Sequence, residues 1–145
     1  MTRVLVVDDD PMVTRLVRIN LELEEFQVEE AWDGNTAMKM MRENPPQILV
    51  LDIMMPRMDG WEILRQVRED PVLKDMPVVL LTGKVQDEDM ARGWRMGADG
   101  YITKPFNPVG LADILREVLS RSQEERLRLR EEELERLKEF VEEEG

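Results

Sequence analysis

ILVLDIMMPRMDG, residues 48–60, decides how the rest of the chain is read. Ile48–Leu51 is a continuous apolar run, the pattern of a strand covered on both faces, and it ends on one carboxylate, Asp52. A charge at the end of a buried strand is costly unless something partners it. The chain then turns at Met54-Met55-Pro56 and enters Gly60–Glu69, which reads as a helix with Trp61, Ile63, Leu64 and Val67 on its apolar face. Strand, short loop and amphipathic helix make one unit of a parallel α/β fold.

The unit recurs on either side. Arg3–Val7 is a second continuous apolar strand, and a helix follows from Pro11 to about Glu24 with Met12, Leu16, Ile19 and Leu23 at helical spacing. Phe26–Ala31 alternates apolar and polar, which suits a strand near the sheet edge, and Asn35–Glu43 is a helix stopped by Asn44-Pro45-Pro46. Pro77–Leu81 is again a buried strand, and Gln86–Met96 a helix ending at Gly97. Tyr101–Thr103 is a last short strand, and the helix from about Pro108 should bury Leu111, Ile114, Leu115 and Val118. Five such units in strict alternation predict an α/β parallel sheet with helices on both faces. Ligands of such sheets gather at the carboxyl ends of the strands.

Those ends carry the chemistry. Asp8 and Asp9 follow strand one, Asp52 follows strand three, Thr82 ends strand four and Lys104 ends strand five. Asp10 stands directly before Pro11 and reads as a helix N-cap, whereas Asp8 and Asp9 have no such local role. If Asp8, Asp9 and Asp52 converge, like charges about 4 Å apart repel by roughly 4 kcal/mol at an effective dielectric near 20. Either some protonate or a cation sits among them. Oxygen ligands without histidine or cysteine select a hard ion, Mg²⁺ first. A magnesium site of that kind leaves room for phosphate oxygens, for which Thr82 and Lys104 are suited. A carboxylate can itself be the nucleophile of phosphoryl transfer, and Asp52 is the best placed.

Composition narrows the classes. The 145 residues suit one domain with a short appendage. Neither cysteine nor histidine is present, which excludes disulfides, thiol catalysis, Ser-His-Asp chemistry and histidine-ligated metals, and suggests a reducing, cytoplasmic setting. Residues 1–121 carry a net −7 and residues 122–145 a net −5, the two parts of the chain's −12. So acidic a chain lacks the electrostatic footprint of direct nucleic-acid binding and any polybasic membrane signal. The opening MTRVLVVDDDP has too short an apolar run for a signal peptide or a membrane span.

Taken together, VLVVDDDP, LDIMMPRMDG, VVLLTG and GADGYITKPF resemble the receiver domain of two-component response regulators, in order over about residues 2–121. The resemblance implies a flavodoxin-like, doubly wound sheet of order 2-1-3-4-5. It implies phosphoryl transfer onto Asp52 from the phosphohistidine of a sensor histidine kinase or a histidine phosphotransfer protein. It also implies Mg²⁺ held by Asp8, Asp9, Asp52 and the Met54 carbonyl, and phosphoryl contacts from Thr82 and Lys104. Tyr101 would be the aromatic switch, and the Lys104-Pro105 bond cis. Gly83 departs from the alanine more usual in the family, and Met54 and Lys84 stand where flanking side chains tune phosphoryl lifetime. The expected protein is then a signalling phosphoacceptor rather than an enzyme, switching contacts with a downstream protein or with itself. A haloacid-dehalogenase-type phosphatase would want a second aspartate two residues beyond the nucleophile, where Met54 stands. A receiver-like adaptor that leaves its acid pocket unused, and a receiver cut from a longer regulator, are the alternatives.

Residues 122–145 form a charged helical extension of the 1–121 receiver. With no proline and no glycine before Gly145, one helix is expected from about Pro108 to Glu143, roughly 54 Å long, whose second half must project or fold back. Leu127, Leu134, Leu137 and Val141 lie on one heptad seam. A dimerising coiled-coil arm, a linker helix to an output domain, and a solvated helix laced by pairs such as Glu124–Arg128 and Glu132–Arg136 are the three readings. Self-association through the strand-four-to-helix-five face is a further route to a homodimer.

Overall fold

The computed structural model describes residues 1–84 and 86–144, the last six by their backbone alone. Five strands, β1 (Arg3–Val7), β2 (Gln27–Ala31), β3 (Ile48–Leu51), β4 (Val78–Thr82) and β5 (Gly100–Thr103), form one parallel sheet of order β2-β1-β3-β4-β5. The helices are α1 (Pro11–Leu23), α2 (Gly34–Glu43), α3 (Gly60–Glu69), α4 (Asp87–Arg95), α5 (Leu111–Ser120) and α6 (Gln123–Glu144), with a 3₁₀ turn at Pro108–Gly110. No described helix is long and apolar enough to cross a membrane.

Strands β3 and β4 are buried along their whole length, as continuous apolar runs require, whereas β2 alternates and lies at the edge. Leu5, Val7, Leu49, Leu51, Val78 and Leu80 point to one core with Met38, Met41, Trp61, Ile63 and Leu64. Val4, Val6, Val50, Val79 and Leu81 point to the other with Val17, Leu21, Leu111, Leu115 and Val118. Alternation along each strand thus feeds two layers, and the sheet is sealed by helices on both sides. Side-chain caps start the helices: Asp10 accepts from Met12 N, Asp33 from Thr36 N and Asp59 from Glu62 N.

Three expectations need correction. The regular stripe of α1 (Met12, Leu16, Ile19, Leu23) faces solvent, at 42–77% exposure, and the buried face is Thr14, Val17 and Leu21. Thr14 can be buried because its hydroxyl accepts from Trp32 Nε1 at 2.9 Å and lies 3.2 Å from Pro11 O. On α5 it is Ala112, rather than Ile114, that joins Leu111, Leu115 and Val118 in the core.

The third concerns the tail, which is not one helix with α5. Arg121 takes an extended conformation (ψ 142°), and Ser122 starts a new helix by accepting from Glu125 N at 3.1 Å, while the two side chains lie 3.2 Å apart. Ser122-x-x-Glu125 is a capping-box pattern, so the break needs neither glycine nor proline. The chain folds back and α6 packs against α4. Of the heptad seam, Leu137 is buried, Leu134 is half-buried and Leu127 is largely exposed, while the side chain of Val141 lies outside the described residues. Among the described residues the ion pairs within α6 are Arg128–Glu132 and Arg136–Glu133, in place of the expected Glu124–Arg128 and Glu132–Arg136.

Candidate functional site

Parallel register brings the strand ends level. Asp52 N donates to Val7 O (2.9 Å) and Lys104 N to Thr82 O (2.8 Å), so residues far apart in sequence meet at one edge of the sheet. Asp8 and Asp52 are buried and Asp9 is exposed at the rim. One carboxylate oxygen from each of the three lies within 4.8 Å of the others. Lys104 reaches across from β5: its Nζ donates to Asp8 Oδ2 at 2.7 Å and to Asp52 Oδ2 at 3.1 Å. Backbone amides hold the remaining oxygens, Asp10 N on Asp8 Oδ1 (2.9 Å) and Met54 N on Asp52 Oδ1 (3.0 Å). Asp8 and Asp52 are thereby fixed in direction as well as in place.

The loop after Asp52 is closed by a close backbone approach. Gly60 N donates to Ile53 O (3.1 Å), and a Cβ on Gly60 would lie 2.4 Å from Asp52 O and from Ile53 Cα. Only glycine fits there, which accounts for the end of the MPRMDG stretch. Arg57, within the same loop, takes a positive φ of 66°. The Met54 side chain is 54% exposed at the pocket mouth. A Cβ added to Gly83 would meet only Met54 Sδ at 3.8 Å, so the space beside it would accept an alanine without strain.

The charges do not balance locally: three carboxylates face one ammonium. Burial pushes the Asp8 carboxyl above the ordinary range, and although Lys104 and the Asp10 amide pull the other way, burial prevails. Burial alone would lower Lys104, but its bonds to Asp8 and Asp52 outweigh that and leave it raised. Such a cluster is short of one hard cation, and its oxygen donors fit Mg²⁺ chemically. Asp8, Asp9 and Asp52 are the residues that could hold it.

Thr82 is fully buried at the end of β4, and its hydroxyl accepts from Lys84 N at 3.3 Å. Tyr101 is a strand away, half-buried, and its hydroxyl donates to Lys84 O at 2.6 Å. Lys84 is therefore joined through its backbone to both side chains. Burial, with the charges of Asp89 and Asp52 behind it, raises the Tyr101 phenol far above its usual value, so it remains a donor. The Lys104-Pro105 bond is cis. Of the sequence-derived residues, Asp8, Asp9, Asp52 and Lys104 are in one cluster, and Thr82 and Tyr101 in the adjoining one.

A second charged cluster was not foreseen. Asp99, 1% exposed in its side chain, stands at the opposite end of the sheet. Its Oδ2 accepts from Val78 N (2.9 Å), Arg68 (3.1 Å) and Arg126 (3.1 Å), and its Oδ1 from Arg130 (2.7 Å). Arg126 and Arg130 belong to α6, 27 and 31 residues further on, and no local pattern announces the pairing.

Comparison with known proteins agrees with the fold. The family model for the response regulator receiver domain matches residues 4–116. The transcriptional regulator RpaA of Synechocystis is 37% identical over 122 residues, 84% of this chain and 51% of that protein. TrcR of Mycobacterium tuberculosis is 46% identical over 120 residues, 83% of this chain and 46% of that protein. The chain thus spans about half the length of these relatives. Among solved structures, the Vibrio cholerae chemotaxis protein CheY4 superposes with a TM-score of 0.77 at 33% identity, covering 81% of this chain and 98% of that one. A CheY-like receiver from Methanospirillum hungatei gives 0.78 at 30% identity, covering 86% and 97%. With a five-stranded 2-1-3-4-5 sheet, an acid triad at its carboxyl end and this match along most of its length, the chain belongs to the response regulator receiver family.

Proposed function

We propose that Asp52 is the phosphoacceptor of a signalling switch, loaded from a phosphohistidine of a sensor histidine kinase or a histidine phosphotransfer protein. An Asp52 oxygen attacks phosphorus, the P–N bond to imidazole breaks as the P–O bond forms, and the imidazole nitrogen leaves with the electron pair and is protonated. Asp8, Asp9, Asp52 and the Met54 carbonyl would hold Mg²⁺, which neutralises phosphoryl charge when bound. Lys104 moves from bridging two carboxylates to pairing with a phosphoryl oxygen, and the Thr82 hydroxyl donates to another. Tyr101 follows the Lys84 backbone and changes the surface around β5. The chemistry is a single self-modification and its reversal, not the turnover of a free substrate.

The observation that carries this reading is Lys104 bridging Asp8 and Asp52 beside Asp9, at three strand ends. The outward stripe of α1 supports it further. Met12, Leu16, Ile19 and Leu23 are exposed on a helix that begins at Pro11, immediately after the acid residues. A helical phosphodonor protein seated there would place its histidine over the pocket, and the apolar stripe suits such a helix-to-helix contact. Incubation with acetyl phosphate and Mg²⁺ followed by intact-mass measurement tests the assignment. One phosphoryl adduct is expected, absent from Asp52→Asn and from samples with chelator. No adduct, or an adduct that survives Asp52→Asn, overturns it.

A further inference from the structure

The fold-back of α6 gives the Asp99 cluster a second meaning. Among the described side chains of α6 only Arg126 and Leu137 are buried, and the first two turns of the helix meet the body through polar contacts. Gln123 donates to Asp75 Oδ1 (2.7 Å), Arg126 to Asp75 O (2.7 Å) and to Asp99, and Arg130 to Ala98 O (3.1 Å) and to Asp99. Ala98 and Gly97, whose carbonyl accepts from Arg68, follow directly on the C-terminal end of α4, where the helix dipole is negative. The arginines are thus gathered at the end of the very helix that α6 covers.

Two features make this cover releasable. Three guanidiniums share one carboxylate, and burial together with the nearby Arg130 and Arg126 lowers Arg68 to about 10 despite its bond to Asp99. Docking α6 therefore brings two further guanidiniums to a carboxylate that Arg68 already neutralises. On its inner side α4 rests on small residues, Ala91 and Gly93, and its N-cap Gln86 makes no side-chain cap bond. A Cβ on Gly93 would lie 3.1 Å from the Tyr101 ring, so the ring lies directly against α4. Tyr101 is in turn bonded to Lys84 O, and Lys84 N to Thr82. Thr82, Lys84, Tyr101, α4 and α6 are consecutive contacts.

We infer that α6 is an intramolecular cover for α4, locked through Arg126 and Arg130 onto Asp99 and released when the pocket at Asp52 is charged with a phosphoryl group. The inference rests on the phosphoacceptor reading of Asp52. Release exposes α4, including the half-buried Trp94, whose buried indole N–H finds no acceptor among the described residues, to a partner that the docked helix excludes. By linkage, whatever loosens α6 must tighten binding at the pocket by the same factor.

Hydrogen exchange on the full chain, with and without Mg²⁺ and the phosphoryl mimic beryllofluoride, tests it. Backbone amides from Arg126 to Leu137 should be protected in the free chain and exchange at least tenfold faster with the mimic. In the double variant R126Q/R130Q, Asp99 keeps Arg68 and the Val78 amide. Its α6 amides should exchange fast in both states, and it should bind the mimic tighter by the factor that α6 lost. Arg128→Gln, on the outer face of α6, should behave as wild type. If the double variant also loses protection in β1, β3 and β4, L137A replaces it, because that change leaves the charge cluster intact. Unchanged α6 exchange while the Met54 amide becomes protected by the mimic overturns the cover and leaves the phosphoacceptor reading standing. Failure of both regions to respond overturns the cover together with that reading.

Discussion

The two ends of the sheet hold opposite electrostatic problems. At the carboxyl end, Asp8, Asp9 and Asp52 face Lys104 alone among the described residues, an excess of two negative charges. At the amino end, Asp99 faces Arg68, Arg126 and Arg130, an excess of two positive charges. The second excess is answered from within the chain, because the surplus N–H groups donate to the carbonyls of Lys74, Asp75, Met76, Gly97 and Ala98. Carbonyls are always at hand in a protein and can absorb spare guanidinium donors. Spare carboxylate oxygens need donors or cations instead, and among the described residues only two backbone amides and one ammonium supply them. A basic cluster can therefore be complete in itself, whereas an acidic cluster of this size calls for something from outside.

The largest consequence is that removing an acid should have opposite signs at the two ends. Asp99→Ala leaves three buried or half-buried guanidiniums without their carboxylate and the Val78 amide without an acceptor. A loss of about 3–5 kcal/mol in unfolding free energy is expected, as for breaking a buried ion pair from one side. Urea unfolding of the full chain measures it, and a loss under about 1 kcal/mol, the range of an exposed pair, would mean that the amino-end cluster is not organised around Asp99.

Asp52→Asn should do the reverse in metal-free buffer. Repulsion of about 4 kcal/mol for charges 4 Å apart at a dielectric near 20 is removed. The lost bond to Lys104, worth about 1.5–3 kcal/mol for a charged group, offsets much of it. A net gain on the order of 1 kcal/mol remains. Mg²⁺ at a hundredfold excess over its Kd should then add about 2.7 kcal/mol to the wild-type chain by mass action, and far less to the variant. The order of stability of the two chains should thus invert on adding the metal, as read by thermal or urea unfolding with chelator and with Mg²⁺. A variant less stable than wild type in both buffers would remove the argument that the pocket is strained by its own charge.

The same contrast explains what could be read from sequence. The acid pocket was legible because a parallel sheet puts every strand end at one edge, so Asp8, Asp52, Thr82 and Lys104 needed only the strand boundaries to be placed together. The Asp99 cluster depends on where α6 goes after Arg121. Ser122-x-x-Glu125 does mark a new helix start, but in a long run of good helix formers the signal is easily passed over, and direction after a break is a tertiary fact. The α1 stripe misled for the complementary reason. Periodicity identifies an apolar face without saying which side the protein keeps for itself, and here Thr14, bonded to Trp32, takes the inner position. Lys84 carries a link that its place beside the pocket does not announce: its backbone joins Thr82 to Tyr101.

The smallest of the expected effects concerns pH and isolates the carboxyl end alone. Burial raises the Asp8 carboxyl above its ordinary 3.8, the bonds to Lys104 and Asp10 N opposing and the charge of Asp52 adding to it. The folded chain therefore holds a proton on Asp8 in a window where the unfolded chain has released it. Stability varies with pH as the protons bound by the unfolded state minus those bound by the folded one, which is negative here. The contribution of Asp8 thus falls as pH rises from 3.8 through the raised value, and is level beyond it. Unfolding of wild type and of Asp8→Asn in chelator, subtracted point by point, cancels the acid groups remote from Asp8 and leaves this slope together with its coupling to Asp52 and Lys104. Saturating Mg²⁺ should reverse it, because the metal takes the deprotonated form and binding strengthens as the proton leaves. A difference curve that rises with pH in chelator would show that Lys104 already holds Asp8 fully ionised, and the acid pocket would then be as self-sufficient as the arginine cluster beneath it.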